Sequence, residues 1–519
     1  MIKDGLVQWV QTLNIAELLN YSKDDLETLL GKDFAVMKGY SQNNPHHCFD
    51  LLEHTVKTAE ALDCEGVSEI ETLELRIAAL FHDVGKPLVA SDKNGRTVFY
   101  NHATKSREIA EEELCRYDLG RCSLGRILFY IEHHDDFISF KLKNDIKGKK
   151  NPFIFPITLE TVYKRILKTQ ETAKNSCNYI PTIHDYSLLM RLCIADAKAQ
   201  SIKVIQDGVQ IDSLEDKLVR LKKIALYIAV IKNAEKESCD LHTHSVYSDG
   251  TDTPCKLVSK ASESGLCVVA LTDHNTIDGL NEFMEAAKKY EIVAVPGIEF
   301  STEFEGHELH VVGLFINRSS HRKINRYLSK AKEAKEESNR NLIENLKKDG
   351  YAVSYEELET YAGNGNINRA VIGQYLLKKG ILSSVKEGFK TILSQKSGYY
   401  KPPMRPSTLD TIRFIKSIGA VAVLAHPLLD LSQEELEQFL PLAKEAGVDA
   451  IESQYSLFTD AQRKWLARIA ADNNLLESGG SDYHGLGKPH ISLGTGEGDL
   501  SVPVSFYLQL IKSFNLDFL

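Results

Sequence analysis

From Cys239 to His484, one short apolar run after another in this chain leads to a histidine or an acidic residue. Cys239–Leu241 runs into Asp240-Leu241-His242-Thr243-His244, with Asp249 just after it in Ser248-Asp249-Gly250. Cys267–Leu271 leads to Thr272-Asp273-His274, and Ile292–Val295 to Gly297-Ile298-Glu299. Leu309–Phe315 carries His310, Ala420–Leu424 precedes Ala425-His426-Pro427, and Ala450–Ile451 is followed by Gly480-Ser481-Asp482-Tyr483-His484. Runs this short read as strands, and amphipathic stretches of helical length lie between several of them. In Pro254–Ser264, Thr253 is placed to cap and Pro254 sits in the first turn. Strand alternating with helix predicts a parallel β/α architecture, closed as a barrel.

In such a barrel the C-terminal strand ends open onto one face, so donors far apart in sequence converge there. His242 and His244, at i and i+2, fall on the same side of an extended strand. A lone histidine near a strand end is ordinarily a hydrogen-bonded core or surface residue. Chance does not place His, Asp or Glu at the end of nearly every strand. Nine N/O donors on one face exceed the coordination of one ion and fit two or three ions sharing a carboxylate. None is a thiolate, which suits Mn²⁺, Fe²⁺ or Zn²⁺. Ions of this kind make water nucleophilic near neutral pH and neutralise phosphate oxygens.

The chain of 519 residues has room for two to four domains at roughly 100–200 residues each. A net charge of −10 excludes a surface that is wholly a nucleic-acid face, so a polyanionic substrate must be met locally. The lysines of Ile146-Lys147-Gly148-Lys149-Lys150 read as solvated loop charges, with substrate binding as the alternative. Nine scattered cysteines, no Cys-x-x-Cys pair and no apolar N-terminal segment point to the cytoplasm. The longest apolar stretches, such as Ile224–Ile231, fall short of the roughly 20 residues that span a bilayer, so no membrane role is expected.

Residues 1 to about 236 have a different grammar. Leu73, Ile77, Leu80 and Phe81 form a stripe at helical spacing, as do Leu188, Leu189, Leu192 and Cys193. The last helix, about Ser213–Glu237, ends in the charged run Lys232–Glu237, which marks the linker. Residues 318–405 break the later β/α rhythm with a charged helical stretch and then Gly363-Asn364-Gly365-Asn366, and so read as a helical insertion on a barrel loop. The expected organisation is an all-α domain over 1–236 and an α/β barrel over 237–519.

His242-Thr243-His244-Ser245, Ser248-Asp249-Gly250-Thr251, Leu271-Thr272-Asp273-His274, Gly297-Ile298-Glu299, His310-Val311-Val312-Gly313, Ala425-His426-Pro427 and Gly480–His484 together resemble the PHP family of metal-dependent phosphoesterases. The resemblance covers about 238–519 and implies a distorted (βα)7-type barrel with three divalent ions, Mn²⁺ first, with Zn²⁺ or Fe²⁺ as alternatives. It implies one ion on His242, His244, Glu299 and Asp482. A second would lie on Asp249, His274 and His484, and a third on Glu299, His310 and His426. The insertion, through Asn366-Ile367-Asn368-Arg369-Ala370 and Gly398-Tyr399-Tyr400-Lys401-Pro402, is similar to that of bacterial nucleoside 3′,5′-bisphosphate phosphatases, some of which trim short RNA from the 5′ end. Arg369 would hold a phosphate bidentately, with Asn368 beside it, and a surface salt bridge is the alternative for Arg369.

In the first half, His54, His82-Asp83, His102, His133-His134-Asp135 and Asp196 resemble the ligand set of HD-type phosphohydrolases. The closer similarity is to the HD module of bacterial tRNA CCA-adding enzymes, carried by Gln42–His47, Glu53-His54-Thr55, Leu80-Phe81-His82-Asp83, Phe99–Ala103 and His133-His134-Asp135 over about 35–205. The nucleotidyltransferase head is absent, so CCA addition is not expected. The HD positions fall on His54, His82, Asp83 and Asp196, and His102 and His134 could hold a second ion. The resemblance implies hydrolysis of phosphomonoesters or 2′,3′-cyclic phosphates at RNA ends, or a module kept without activity. The expected function is hydrolysis of phosphate from nucleoside bisphosphates or short RNA ends. The alternatives are a histidinol-phosphate-type metabolite phosphatase and a protein that binds nucleotide or RNA without turnover.

Overall fold

The computed structural model describes residues 15–43, 46–93, 97–117, 119–142, 155–206, 209–290, 292–363, 367 and 369–514. Asn44-Pro45, the Ile146–Lys150 lysines, Asn364–Asn366 and Asn368 lie outside them. The chain forms two compact units, Met1–Lys232 and Asn233–Leu519.

The first unit is built mainly of helices, among them α1 (Leu51–Glu60), α2 (Glu69–Phe81), α3 (His102–Leu114), α4 (Arg121–His133), α5 (Leu159–Ser176), α6 (Ile183–Lys198) and α7 (Leu214–Lys232). Helix α2 starts at a reciprocal cap between Ser68 and Glu71, which satisfies end amides that the helix itself cannot. Its stripe then goes inward: Ile77, Leu80 and Phe81 are buried. Leu188, Leu189, Leu192 and Cys193 of α6 are buried as well. Each such aliphatic or aromatic side chain contributes about 1.5–3 kcal/mol on burial. The structure adds three two-stranded ribbons that the helical pattern did not announce. One of them, Lys203–Gln206 with Val209–Ser213, takes Ser213 out of the expected last helix. That helix stops at Lys232 in a turn, where the Lys236 amide donates to the Asn233 carbonyl.

The second unit is an eight-stranded sheet: β1 (Ser238–Asp240), β2 (Val268–Leu271), β3 (Val293–Phe304), β4 (His307–Leu314), β5 (Val421–Ala425), β6 (Ala450–Tyr455), β7 (Leu476–Gly480) and the two-residue β8 (Val502–Pro503). Their order is β7-β6-β5-β4-β3-β2-β1-β8. At the rim the chain beyond β1 meets the chain beyond β7. The Leu241 amide donates to Gly479 O (3.1 Å), the Asp482 amide to His242 O (2.9 Å), and Thr243 bridges Tyr483 in parallel. Strands β2 and β5 are buried along their whole length, as strands covered on both faces are.

An all-parallel barrel is not what forms. Strand β4 runs antiparallel to both β3 and β5, and β8 runs antiparallel to β1. Strands β3 and β4 are joined by the two-residue turn Glu305-Gly306, both at positive φ (49° and 87°), the conformation that suits a tight hairpin. Two expected strand ends are therefore revised. Glu299 lies inside the 12-residue β3, three positions past the end of its pairing with β2. His310 lies near the start of β4, which the reversal brings to the rim at the C-terminal end of β5, where it pairs with Ala425.

Thr253 caps α8 (Pro254–Glu263) by accepting from the Lys256 amide, and Leu257, Val258 and Ala261 face inward. The insertion is carried by α9 (His321–Lys348), whose 28 residues make a rod of about 42 Å. Its first turns bury Ile324 and Leu328 in the barrel core. Its last turns bury Leu342, Ile343 and Leu346 in a separate core with α10 (Tyr355–Ala362) and α11 (Arg369–Lys378). Among the described residues no helix is long and apolar enough to cross a membrane.

Candidate metal centres

The barrel rim gathers all nine donors around Glu299. Its Oε2 stands 3.2 Å from Nε2 of both His242 and His244 and 3.0 Å from Nδ1 of His274. Its Oε1 stands 2.8 Å from His310 Nδ1 and 3.1 Å from His426 Nε2. Asp482 Oδ1 is 3.2 Å from His244 Nε2 and 3.8 Å from His242 Nε2. Asp249 is 3.1 Å from His484 Nε2 and 3.8 Å from His274 Nε2. The sets His244–Asp249–His274–His484 and His242–Glu299–His426 each keep their ligand atoms within 4.8 Å of one another.

These residues fit a cation better than they fit each other. The Nε2 atoms of His242 and His244, His274 Nδ1, Asp249 Oδ1 and Glu299 Oε2 are buried and have no hydrogen-bond partner. Groups of this kind are normally paired in a folded protein. Burial would raise the Glu299 carboxyl, yet His274, His242 and His310 hold it well below the usual range. Asp249 and Asp482 are likewise held low against burial, Asp249 by His274 and His484 and Asp482 by Lys488 and His484. Against burial, Glu299 pushes His310 up to about 10, and Asp482 and Glu299 push His244 up to about 9. Carboxylates ionised this deep require positive charge among them. Two of the donors also sit on left-handed backbone, Asp482 at φ 56° and His426 at φ 24°, a strain that clusters at functional sites.

Several supporting residues had no signal in the donor pattern. Glu452, on β6, is 3.1 Å from His242 Nδ1 and accepts from the His426 amide at 2.7 Å. His484 Nδ1–H donates to the Asp482 carbonyl (2.7 Å), which leaves Nε2 to face the site. Asp273 accepts from Ser245 and Ser248, and Asp240 from Ser481 and the Gly494 amide, so the two acids beside ligand motifs tie loops rather than join the donors. Lys488 donates to Asp482 Oδ2 at 2.6 Å.

The insertion brings Arg369 to a cavity of about 210 Å³ that also reaches Asp249, His274 and His310. Arg369 lies over the Tyr400 ring, 4.7 Å from its centroid, and 4.0 Å from Glu308. Arg405, in the run Pro402-Pro403-Met404-Arg405-Pro406, pairs with the same Glu308 at 2.7 Å.

In the first unit Asp83 stands between two groups of rings. Its Oδ2 is 3.4 Å from His54 Nε2 and 3.3 Å from His82 Nε2, and Asp196 Oδ1 closes that side at 3.0 Å from His54. Its Oδ1 is 3.2 Å from His102 Nε2 and 3.7 Å from His134 Nε2, with Asp135 3.2 Å from His102. The Nδ1–H groups of His54, His82, His102 and His134 donate to the carbonyls of Ala199, Ala79, Phe99 and Ile131. Nε2 of each ring is thereby the atom that faces Asp83 and would bind a metal. The Nε2 atoms of His54 and His82 and Oδ1 of Asp83 are buried without partners. Against burial, Asp83 and Asp196 push His82 up to about 10. Lys86, the last residue of the His82-Asp83-Val84-Gly85-Lys86 element central to the HD resemblance, donates to Asp83 Oδ2 at 2.6 Å and to Gln42 Oε1 at 3.0 Å. A cavity of about 720 Å³ opens here between Lys86, Phe99, Tyr100, Asp135, Asp196 and Arg220.

The PHP domain model matches residues 240–399 and the HD domain model residues 46–155. A 5′-3′ exoribonuclease of Haemophilus influenzae is 34% identical over 249 residues, 47% of this chain and 89% of its own length. A 3′,5′-nucleoside bisphosphate phosphatase of Chromobacterium violaceum is 29% identical over 252 residues, 48% of this chain and 88% of that protein. A solved amidohydrolase structure from Chromobacterium violaceum is 26% identical and covers 53% of this chain and 96% of its own, with a TM-score of 0.46.

Proposed function

The chain belongs to the PHP family of metal-dependent phosphoesterases, and on that premise we propose that its barrel site removes phosphate from nucleotides, as nucleoside 3′,5′-bisphosphates or short RNA ends. One observation carries the substrate class. The insertion sets Arg369 and Arg405 on a cavity shared with the donors His274 and His310, so one phosphate can lie at the donors while another meets guanidinium. The ions would be held by His242, His244, Glu299 and Asp482, by Asp249, His274 and His484, and by Glu299, His310 and His426. Their imidazole and carboxylate donors suit Mn²⁺, Zn²⁺ or Fe²⁺, and the family resemblance puts Mn²⁺ first. When bound, such ions activate water and offset charge on the phosphate oxygens. The protein's own part is to orient. Glu452 and the Asp482 carbonyl fix the rings of His242 and His484, and the arginines hold the phosphate that is kept.

A second reading concerns the first unit and is favoured by the two ring groups flanking Asp83. Here one ion would sit on His54, His82, Asp83 and Asp196, and a second on His102 and His134 with the other Asp83 oxygen. This site would hydrolyse 2′,3′-cyclic or terminal phosphates of RNA ends. The boundary between the two domains is placed near residue 236. The nine cysteines are all free, as suits a cytoplasmic enzyme. The test is a hydrolysis screen of nucleoside 3′,5′-bisphosphates, 2′,3′-cyclic nucleotides, histidinol phosphate and short 5′-phosphorylated RNA. Turnover of the bisphosphate or RNA, with histidinol phosphate much slower, is the expected outcome. Preference for histidinol phosphate would overturn the substrate class.

A further inference from the structure

Two cavities on the donor face of the barrel share a wall. The smaller, about 210 Å³, reaches the donors Asp249, His274 and His310 together with Arg369 and Arg405. The larger, about 570 Å³, is lined by Tyr247, Asp278, Lys332, Glu336, Tyr355 and Glu359. Asn275, Ala331, Lys335 and Asn339 line both. Pockets that enclose whole small molecules run to roughly 300–1,000 Å³. The smaller cavity falls below that range and the larger within it. A nucleotide with its phosphate at the donors overfills the smaller cavity and can extend past Lys335 into the larger one.

Lys335 is suited to be met there. It sits midway along α9, between the turns that bury Ile324 and Leu328 in the barrel and those that bury Leu342 and Leu346 in the insertion, so its backbone is fixed at both ends. Among the described residues it makes no hydrogen bond and no ion pair, whereas Arg405 is committed to Glu308 at 2.7 Å. A half-buried ammonium that pairs with no carboxylate, in a wall it shares with Asp249 and Arg405, is placed to meet a phosphate.

We propose that Lys335 is a specificity residue that grips a second phosphate of a substrate spanning both cavities, so that the site favours oligonucleotides over mononucleotides. This deepens the nucleotide phosphoesterase reading and rests on it. Arg369 and Arg405, which line only the smaller cavity, hold the kept phosphate beside the donors. Lys335 serves the linkage beyond, where Tyr247 offers ring surface to a base.

The full chain and its Lys335→Ala and Lys335→Arg variants are to be compared on a 5′-phosphorylated tetranucleotide RNA, a nucleoside 3′,5′-bisphosphate and p-nitrophenyl phosphate. The Ala variant is expected to raise KM for the tetranucleotide about 10- to 100-fold, with kcat little changed. On the aryl phosphate kcat/KM should stay within about threefold, and Lys335→Arg should recover most of the loss. The slope of log(kcat/KM) against log salt for the tetranucleotide should become shallower by about 0.7, the share of one single-strand phosphate contact. An equal loss on the aryl phosphate would put Lys335 at the reacting phosphate or in the fold and overturn the proposal, as would an unchanged tetranucleotide KM. If the unaltered protein turns over the aryl phosphate but neither nucleotide, the nucleotide reading itself fails, a result separate from either of these.

Discussion

Glu452 holds His242 from behind, its Oε1 3.1 Å from the ring Nδ1. The contact makes Nδ1 the donor and turns Nε2 toward Glu299, 3.2 Å away. A carboxylate behind a ligand imidazole fixes its tautomer and raises its basicity, and losing such a partner costs roughly 10- to 100-fold in metal affinity. Glu452→Gln keeps an acceptor but removes the charge. Metal titration should show affinity weaker by about 10-fold, the low end of that range. Unchanged affinity would mean that the contact does not set the ligand field.

Asp482 carries both a donor oxygen and a left-handed backbone at φ 56°. Alanine there adds a backbone cost of about 1–2 kcal/mol, whereas asparagine visits that region readily. Asp482→Asn therefore isolates the charge from the fold. Phosphatase turnover should be abolished in Asp482→Ala and reduced at least about 100-fold in Asp482→Asn, whose melting temperature stays near that of the unaltered protein. Near-normal turnover in well-folded Asp482→Asn would remove Asp482 from the site.

Arg369 lines the cavity but not the donor cluster, so its loss should be selective. A charge-assisted contact is worth about 1.5–3 kcal/mol, or roughly 10- to 150-fold. Arg369→Ala should lower kcat/KM by that factor on nucleoside bisphosphates and far less on p-nitrophenyl phosphate. Equal losses on both would place Arg369 at the reacting phosphate or in the structure.

What was legible in the sequence followed the strength of each local signal. The donors stood out because His, Asp and Glu interrupt apolar runs, and the structure gathers all nine on one rim. The reversal at β4 was missed although Glu305-Gly306 marks it, since an isolated Gly in a β/α rhythm looks like any loop. Glu452 was hidden in Ala450–Tyr455, where strand alternation gives a charged residue no address. Lys335 and Arg405 acquire meaning only from what folds against them. Asn368, read beside Arg369, lies outside the described residues.

His54, His82, Asp83 and Asp196 all lie in the first unit, and the nine donors from His242 to His484 all lie in the second. Disabling one should therefore spare the other. The His82→Ala, Asp83→Ala pair should lose hydrolysis of 2′,3′-cyclic nucleotides and keep that of bisphosphates. The His242→Ala, His244→Ala pair should do the reverse. If the first pair alters neither activity, the first unit is a binding or structural module, and the barrel assignment stands.

The most direct test is metal dependence of phosphate release from a nucleoside 3′,5′-bisphosphate. The full chain is stripped with a chelator, assayed, and assayed again after Mn²⁺, Zn²⁺ or Fe²⁺ is returned. Turnover should fall by at least about 100-fold on stripping and recover with at least one of these ions, because the buried donors without partners would hold the ions that activate water at the phosphate. Turnover that survives complete stripping, or that no divalent ion restores in folded protein, would contradict the assignment of the barrel rim as a metal-dependent phosphoesterase site.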